Sequence, residues 1–164
     1  MDQGHEREID TENVPVLLDV MCGGLTSILR MVGYDTAYAL DREIESDASI
    51  RAVGENENRL LVTRDEDLAD RYDPAVLLES TDTDEQLREL KRAGFDLSLS
   101  EPRRCSSCNG ELRRRDSEDL EETTPEWVPD PGETPLWRCG DCGQYFWKGS
   151  HWDDVGARLE AIEE

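Results

Sequence analysis

VPVLLDVMCGGLTSILRMVGYDTAYAL, residues 14–40, carries the reading of the fold. Val16, Leu17 and Leu18 form the short apolar run that a strand buried on both faces requires. Leu25, Ile28, Leu29 and Val32 then recur at the i, i+3, i+4, i+7 spacing of one helix face. Gly33 follows where a left-handed helix cap belongs, and Tyr34 to Leu40 alternates as a second strand. Strand, glycine-bearing turn, helix and strand in this order is the opening of an α/β layer structure.

Working outward, the same alternation continues. Ser46-Asp47 opens a helix with Ala48, Ile50, Ala52 and Val53 on its apolar face. Arg59 to Thr63 reads as strand three, Asp65 to Arg71 as a helix, and Ala75 to Leu78 as strand four. Thr83-Asp-Glu-Gln86 has capping-box spacing ahead of Leu87 and Leu90, and Phe95 to Leu99 reads as a fifth strand. The pattern predicts a three-layer α/β sandwich with a mostly parallel sheet, whose sites belong at the strand carboxyl ends. Residues 1–13 lack apolar content and read as a disordered tail.

Composition changes at Glu101-Pro102. Five arginines between Arg103 and Arg115 meet a single acid, Glu111, and all four tryptophans lie in the last third of the chain. This marks a smaller second module over residues 101–152, with an acidic, proline-bearing insert at about 116–135 and a C-terminal helix or tail over 153–164. Cys105-x-x-Cys108 and Cys139-x-x-Cys142, thirty residues apart, have the spacing of a closed four-thiolate site for one structural Zn²⁺. Gly110 and Gly143 sit where a tight knuckle needs close backbone approach to the sulfurs. Cys22, the odd thiol, reads as small apolar packing.

The chain of 164 residues carries 40 acids against 18 bases, a net charge of −22. Only Lys91 and Lys148 are lysines. Acid excess with scarce lysine points to a halophilic setting, in which salt screens like-charge repulsion within a few ångströms. The regular periodicity argues against a disordered acidic chain. No apolar run is long enough to span a membrane, and the polar N-terminus lacks a secretory pattern. A cytoplasmic protein is expected.

Among so many acids, Asp19 and Asp65 have a positional reason to matter, since each follows a buried strand and both fall on one edge of a parallel sheet. Acids at neighbouring strand ends are a common way to hold Mg²⁺ or Mn²⁺ for phosphodiester cleavage.

LLDVMCGGLTSILRMVGYDT, RLLVTRDEDLADR, RRCSSCNGEL and WRCGDCGQYFWKGSHW, in that order, resemble the Mut-seven C-terminal RNase domain family of PIN-like nucleases with a zinc ribbon, over residues 16–152. The resemblance implies a PIN-like fold and a ribonuclease acting on single-stranded RNA. It implies Asp19 and Asp65 as metal-binding acids, Asp47 as the third, Thr63 as a hydroxyl near metal or phosphate, and Asp67 as a fourth acid. Asp19 and Asp65 also read as strand-end caps, Asp47 as an ordinary helix N-cap, and Asp67 as helix surface. Gly24 and Ser27 stand where relatives tend to carry a basic or bulky residue.

A chain at −22 should repel a polyanion, but Pro102–Arg115 is locally +4. Arg103, Arg104, Arg113, Arg114 and Arg115 around the first knuckle offer phosphate contacts. Lys148 and His151 belong to a further family-like stretch and are added to the RNA-binding set, although His151 also reads as a structural residue docking the ribbon. Trp137, Tyr145, Phe146, Trp147 and Trp152 are either stacking platforms or the core of the small module. The rival functional reading is a non-catalytic RNA-binding or protein-docking adaptor on the same scaffold. A protein partner and the oligomeric state are not legible in the sequence.

Overall fold

The computed structural model describes residues 14–120 and 124–162; the expected tail over 1–13 lies outside them. Strands β1 (Val16–Leu18), β2 (Thr36–Tyr38), β3 (Leu60–Thr63) and β4 (Ala75–Leu77) form a parallel sheet in the order β2-β1-β3-β4. Helices α1 (Thr26–Met31), α2 (Asp47–Glu57) and α3 (Glu66–Arg71) connect them, and α4 (Thr83–Arg92) follows β4.

The sheet is covered on both faces, which is why β1 and β3 are apolar at every position except the terminal Thr63. Val16, Leu18, Leu60 and Val62 pack under Ile28 and Leu29 of α1 and Leu87 and Leu90 of α4. Leu17 and Leu61 face the other way, onto Ile50 of α2 and Leu68 of α3. The expected three-layer α/β sandwich is the observed one. The C-terminal helix α5 (Ser150–Ile162) joins the first of these layers, burying Val155, Leu159 and Ile162 in the same cluster, and Arg158 pairs with Asp84 of α4.

Some boundaries differ from the sequence reading, for local reasons. Strand two stops at Tyr38 because Leu40–Arg42 coils into a 3-10 turn. Helix α4 is capped by Asp82 rather than Thr83: the Asp82 carboxylate accepts from Glu85 N at 3.1 Å, and an acid at the dipole's positive end is the stronger partner. Phe95 to Leu99 forms no strand. Asp96 Oδ1 accepts from Ser98 N at 3.1 Å and Ser98 Oγ at 2.6 Å, a local turn that competes with sheet pairing. Its alternating Phe95 and Leu97 are buried in the core all the same. Gly33 caps α1 at φ 108° as expected.

Between α4 and α5 lies an antiparallel sheet of β5 (Leu112–Arg115), β6 (Leu136–Cys139) and β7 (Tyr145–Phe146). Its first cysteine turn docks on the edge strand β2. Thr36 N donates to Asn109 Oδ1 at 2.8 Å, and the buried Arg30 of α1 reaches Thr36 O, Ser106 O and Ser107 O at 3.0 to 3.2 Å. Asn109 Nδ2 and Arg59 both donate to Asp35 Oδ1. No helix among the described residues is long and apolar enough to cross a membrane.

Candidate acidic site and cysteine centre

β1 and β3 are neighbours, while the chain leaves them in opposite directions, β1 toward β2 and β3 toward β4. This is the switch point at whose carboxyl edge α/β sheets bind ligands. Asp19 ends β1 there and is only 5% exposed. Its Oδ1 accepts from Val20 N at 2.8 Å, and its Oδ2 accepts from the fully buried Thr63 hydroxyl at 2.6 Å. Thr63 Oγ1 in turn accepts from Asp65 N at 3.0 Å. One hydroxyl thus ties Asp19 to the backbone of Asp65 across two strands, and its bond to a carboxylate is of the short charge-assisted kind.

Asp65 caps α3, its Oδ1 accepting from Asp67 N at 2.9 Å and Leu68 N at 3.2 Å. Asp65 and Asp67 line an open cavity of about 510 Å³ with Arg64, Glu66, Leu77 and Glu79. Asp47 begins α2 behind the Ser46 cap, on the same sheet edge but exposed. Among the described residues, the group of three or more metal-ligating side chains is that of the four cysteines, whose sulfurs lie within 4.8 Å of one another; Asp19, Asp47 and Asp65 form no such group.

Four residues at this edge were not singled out by the sequence reading. Arg64 lies in the cavity wall, its Nε without a hydrogen-bond partner among the described residues. Asp41 and Glu79 follow the ends of β2 and β4, a signal as good as that for Asp65 once the strand ends are known. Tyr38 closes the group by donating to Val20 O at 3.0 Å; burial raises its pKa first, then the charges of Asp41, Cys22 and Asp19. Cys22 is wholly buried, and burial, with the nearby Asp19 charge, pushes its thiol up to about 12 against a partial offset by Arg64. It packs and does not react. A Cβ on Gly24 would stand 2.6 Å from Thr83 Oγ1, so a side chain there requires that hydroxyl to turn away.

The cysteine centre is built from two turns facing each other. Cys105 and Cys142 sulfurs lie 3.7 Å apart and those of Cys108 and Cys139 3.5 Å, against about 3.8 Å for the edge of a tetrahedron with Zn–S bonds near 2.3 Å. Four cysteines so placed suit a structural metal such as zinc. Burial opposes ionisation of Cys139, but Cys142 N and Asp141 N donate to its sulfur at 3.4 Å, and with the neighbouring thiols they bring it down to about 7. Gly143 takes φ 81° in the second turn; in the first, Asn109 takes the left-handed position at φ 72°. Gly110 is needed for closeness instead, since a Cβ there would sit 2.7 Å from Cys139 Sγ.

The basic residues do not form one patch. Arg103, Arg104 and Arg113 line a groove with Gly33, Asp35 and Glu111, beside the loop that enters β2 and so at the sheet edge opposite the acids. Arg114 lies over the buried Trp137 ring, 5.2 Å from its centroid, and the Nε of Arg115 is buried. Lys148 lies 5.8 Å from the Trp152 centroid. His151 is exposed at the start of α5, on the rim of an aromatic cavity. Of the aromatics, Trp137 is core, while Trp127 is 65% exposed and packs on Tyr145 and Trp147 at 6.5 and 6.1 Å.

Compared with known proteins, residues 15–159 match the family model described as the Mut7-C RNAse domain. No curated protein and no solved structure matches.

Proposed function

Because the chain belongs to the Mut7-C RNAse domain family, we propose that it is a divalent-metal-dependent endonuclease acting on single-stranded RNA. The family suggests a nuclease. The observation that carries the finer reading is the Thr63 hydroxyl that ties Asp19 to Asp65 at the switch point.

Asp19 and Asp65 present hard oxygen donors, the set that Mg²⁺ and Mn²⁺ prefer. Mg²⁺ keeps several waters and is held by one or two carboxylates plus substrate phosphate, so a third converged acid is not required. Asp65 Oδ2 makes no hydrogen bond among the described residues and would face the ion, while the Thr63 hydroxyl holds the Asp19 carboxylate in orientation. When bound, such an ion supplies an activated water and offsets charge on the leaving oxygen. Arg64, in the cavity wall, would hold a phosphate oxygen through the open side of its guanidinium, against the surrounding acids. Asp67, in the cavity wall, and Asp47, exposed at the start of α2, would bind water on a hydrated ion.

On this reading the ribbon, folded around zinc, binds and orients the strand, and its closed coordination leaves zinc no chemistry of its own. The test is cleavage of labelled single-stranded RNA by zinc-loaded protein in multimolar KCl with Mn²⁺, wild type against Asp19→Asn. Cutting by the wild type and none by the variant is expected. Equal cutting removes Asp19 from the mechanism, and RNA binding without cutting by the wild type turns the reading to an adaptor.

A further inference from the structure

Where the ribbon meets the α/β layers there is a second cavity, of about 230 Å³. Tyr145, Phe146, Trp147 and Trp152 form its walls, with Arg104 and His151 beside them. Met31 at the end of α1 places it away from the acids, toward the opposite sheet edge. Arg104 and Leu112 line both this cavity and the arginine groove of Arg103 and Arg113. An aromatic slot and a cationic groove therefore share a wall.

We infer that this slot takes one unpaired nucleobase of the bound RNA, stacked against Trp147, while the flanking phosphates lie in the groove of Arg103, Arg104 and Arg113. The inference rests on RNA being the ligand. Three observations favour a base over a peptide segment. The volume admits one planar ring system, whereas a peptide helix with its side chains is about 10 Å across. Four aromatic side chains, Tyr145, Phe146, Trp147 and Trp152, outweigh Met31, Pro102 and Leu112 in the lining, and stacking on aromatic rings is tolerant of base identity. The adjoining groove carries Arg103, Arg104 and Arg113 against Asp35 and Glu111, a local cationic excess on a chain at −22, which favours a polyanionic backbone next to the ring.

The slot is held ready by its own packing. A Cβ on Gly149 would sit 2.8 Å from Trp147 Nε1, so the glycine lets the indole lie against the backbone. The remoteness from Asp19 and Asp65 makes the slot an anchor: a base held here leaves the strand to run past the ribbon to the acidic edge.

The test is binding, read without divalent cation and so independently of cleavage. The probes are a fluorescein-labelled ten-nucleotide oligouridylate and an abasic ribose-phosphate strand of equal length, titrated with zinc-loaded full-length protein. The wild type should bind the oligouridylate about ten-fold or more tightly than the abasic strand. Trp147→Leu should lower the oligouridylate to the abasic level, and Trp147→Phe should restore most of the difference. Gly149→Ala, which displaces the indole without removing it, should show the same loss and covers the case in which Trp147→Leu does not fold or hold zinc. Equal binding of the two strands by the wild type, or an undiminished preference in both Trp147→Leu and Gly149→Ala, overturns the inference. Base-dependent binding by a protein that cuts nothing keeps the slot and removes the nuclease reading; cutting without base dependence does the reverse.

Discussion

Thr63 and Asp65 show what one residue can decide at the acidic edge. Asp65 is both a helix cap and a proposed metal ligand, and the two roles separate under substitution. Asparagine caps a helix about as well as aspartate, so Asp65→Asn should keep the bonds to Asp67 N and Leu68 N, with a stability change under about 1 kcal/mol in a thermal melt. Cleavage of single-stranded RNA should be lost with zinc content unchanged; cleavage that survives would remove Asp65 from the reaction. Asp19 and Asp65 could be read from the sequence because each comes within two residues of the end of an apolar strand. The Thr63 hydroxyl as the link between them could not, since it depends on β1 and β3 being neighbours in register, Leu18 beside Val62. Asp41 and Glu79 directly follow the expected strand ends at Leu40 and Leu78 and escaped because no family-like motif accompanies them.

Among the elements, α5 differs most in weight from its sequence signal. Val155, Leu159 and Ile162 mark a short amphipathic helix, yet its 13 residues complete the layer begun by α1 and α4. The chain thus returns to the α/β core after the ribbon. Leu159→Ala, at a position 4% exposed, should cost about 2–5 kcal/mol, read as a lower denaturant midpoint for the whole α/β unit; an unchanged midpoint would make α5 an appendage. The segment Phe95–Leu99 makes the converse point. Its period-two apolar pattern is real, but burial against a helix layer satisfies alternation as well as a sheet does, and the Asp96 turn removes the backbone donors that pairing would need.

For the molecule as a whole, the ribbon is tied to the sheet edge through the turn that carries its first two cysteines. Arg30 is 4% exposed and is held by the carbonyls of Ser106 and Ser107, inside the first cysteine turn. Loss of zinc should release those carbonyls and leave a buried guanidinium short of partners, which is costly. Chelation should therefore lower the melting temperature of the α/β unit as well as unfold the ribbon, as followed by circular dichroism in high KCl. A chelated protein whose α/β transition is unmoved would make the two parts independent. The net charge of −22 acts at this scale too: its self-repulsion opposes the compact state, and salt that shortens the screening length to about 3 Å at 1 M relieves it.

Read alone, the sequence determined the layer architecture, the cysteine centre and the identity of the two strand-end acids. Those rest on local periodicity, on ligand spacing and on the rule that parallel strands end on one edge, all of which a linear pattern records. Only the tertiary structure decided which strands are neighbours, and with that the Thr63 bridge. It also parted the five ribbon arginines, sending Arg103, Arg104 and Arg113 to one groove and Arg114 onto Trp137. Alternate residues of β5 point to opposite faces, so a run that is continuous in sequence is divided in space, and the partners of each face come from segments far away in the chain.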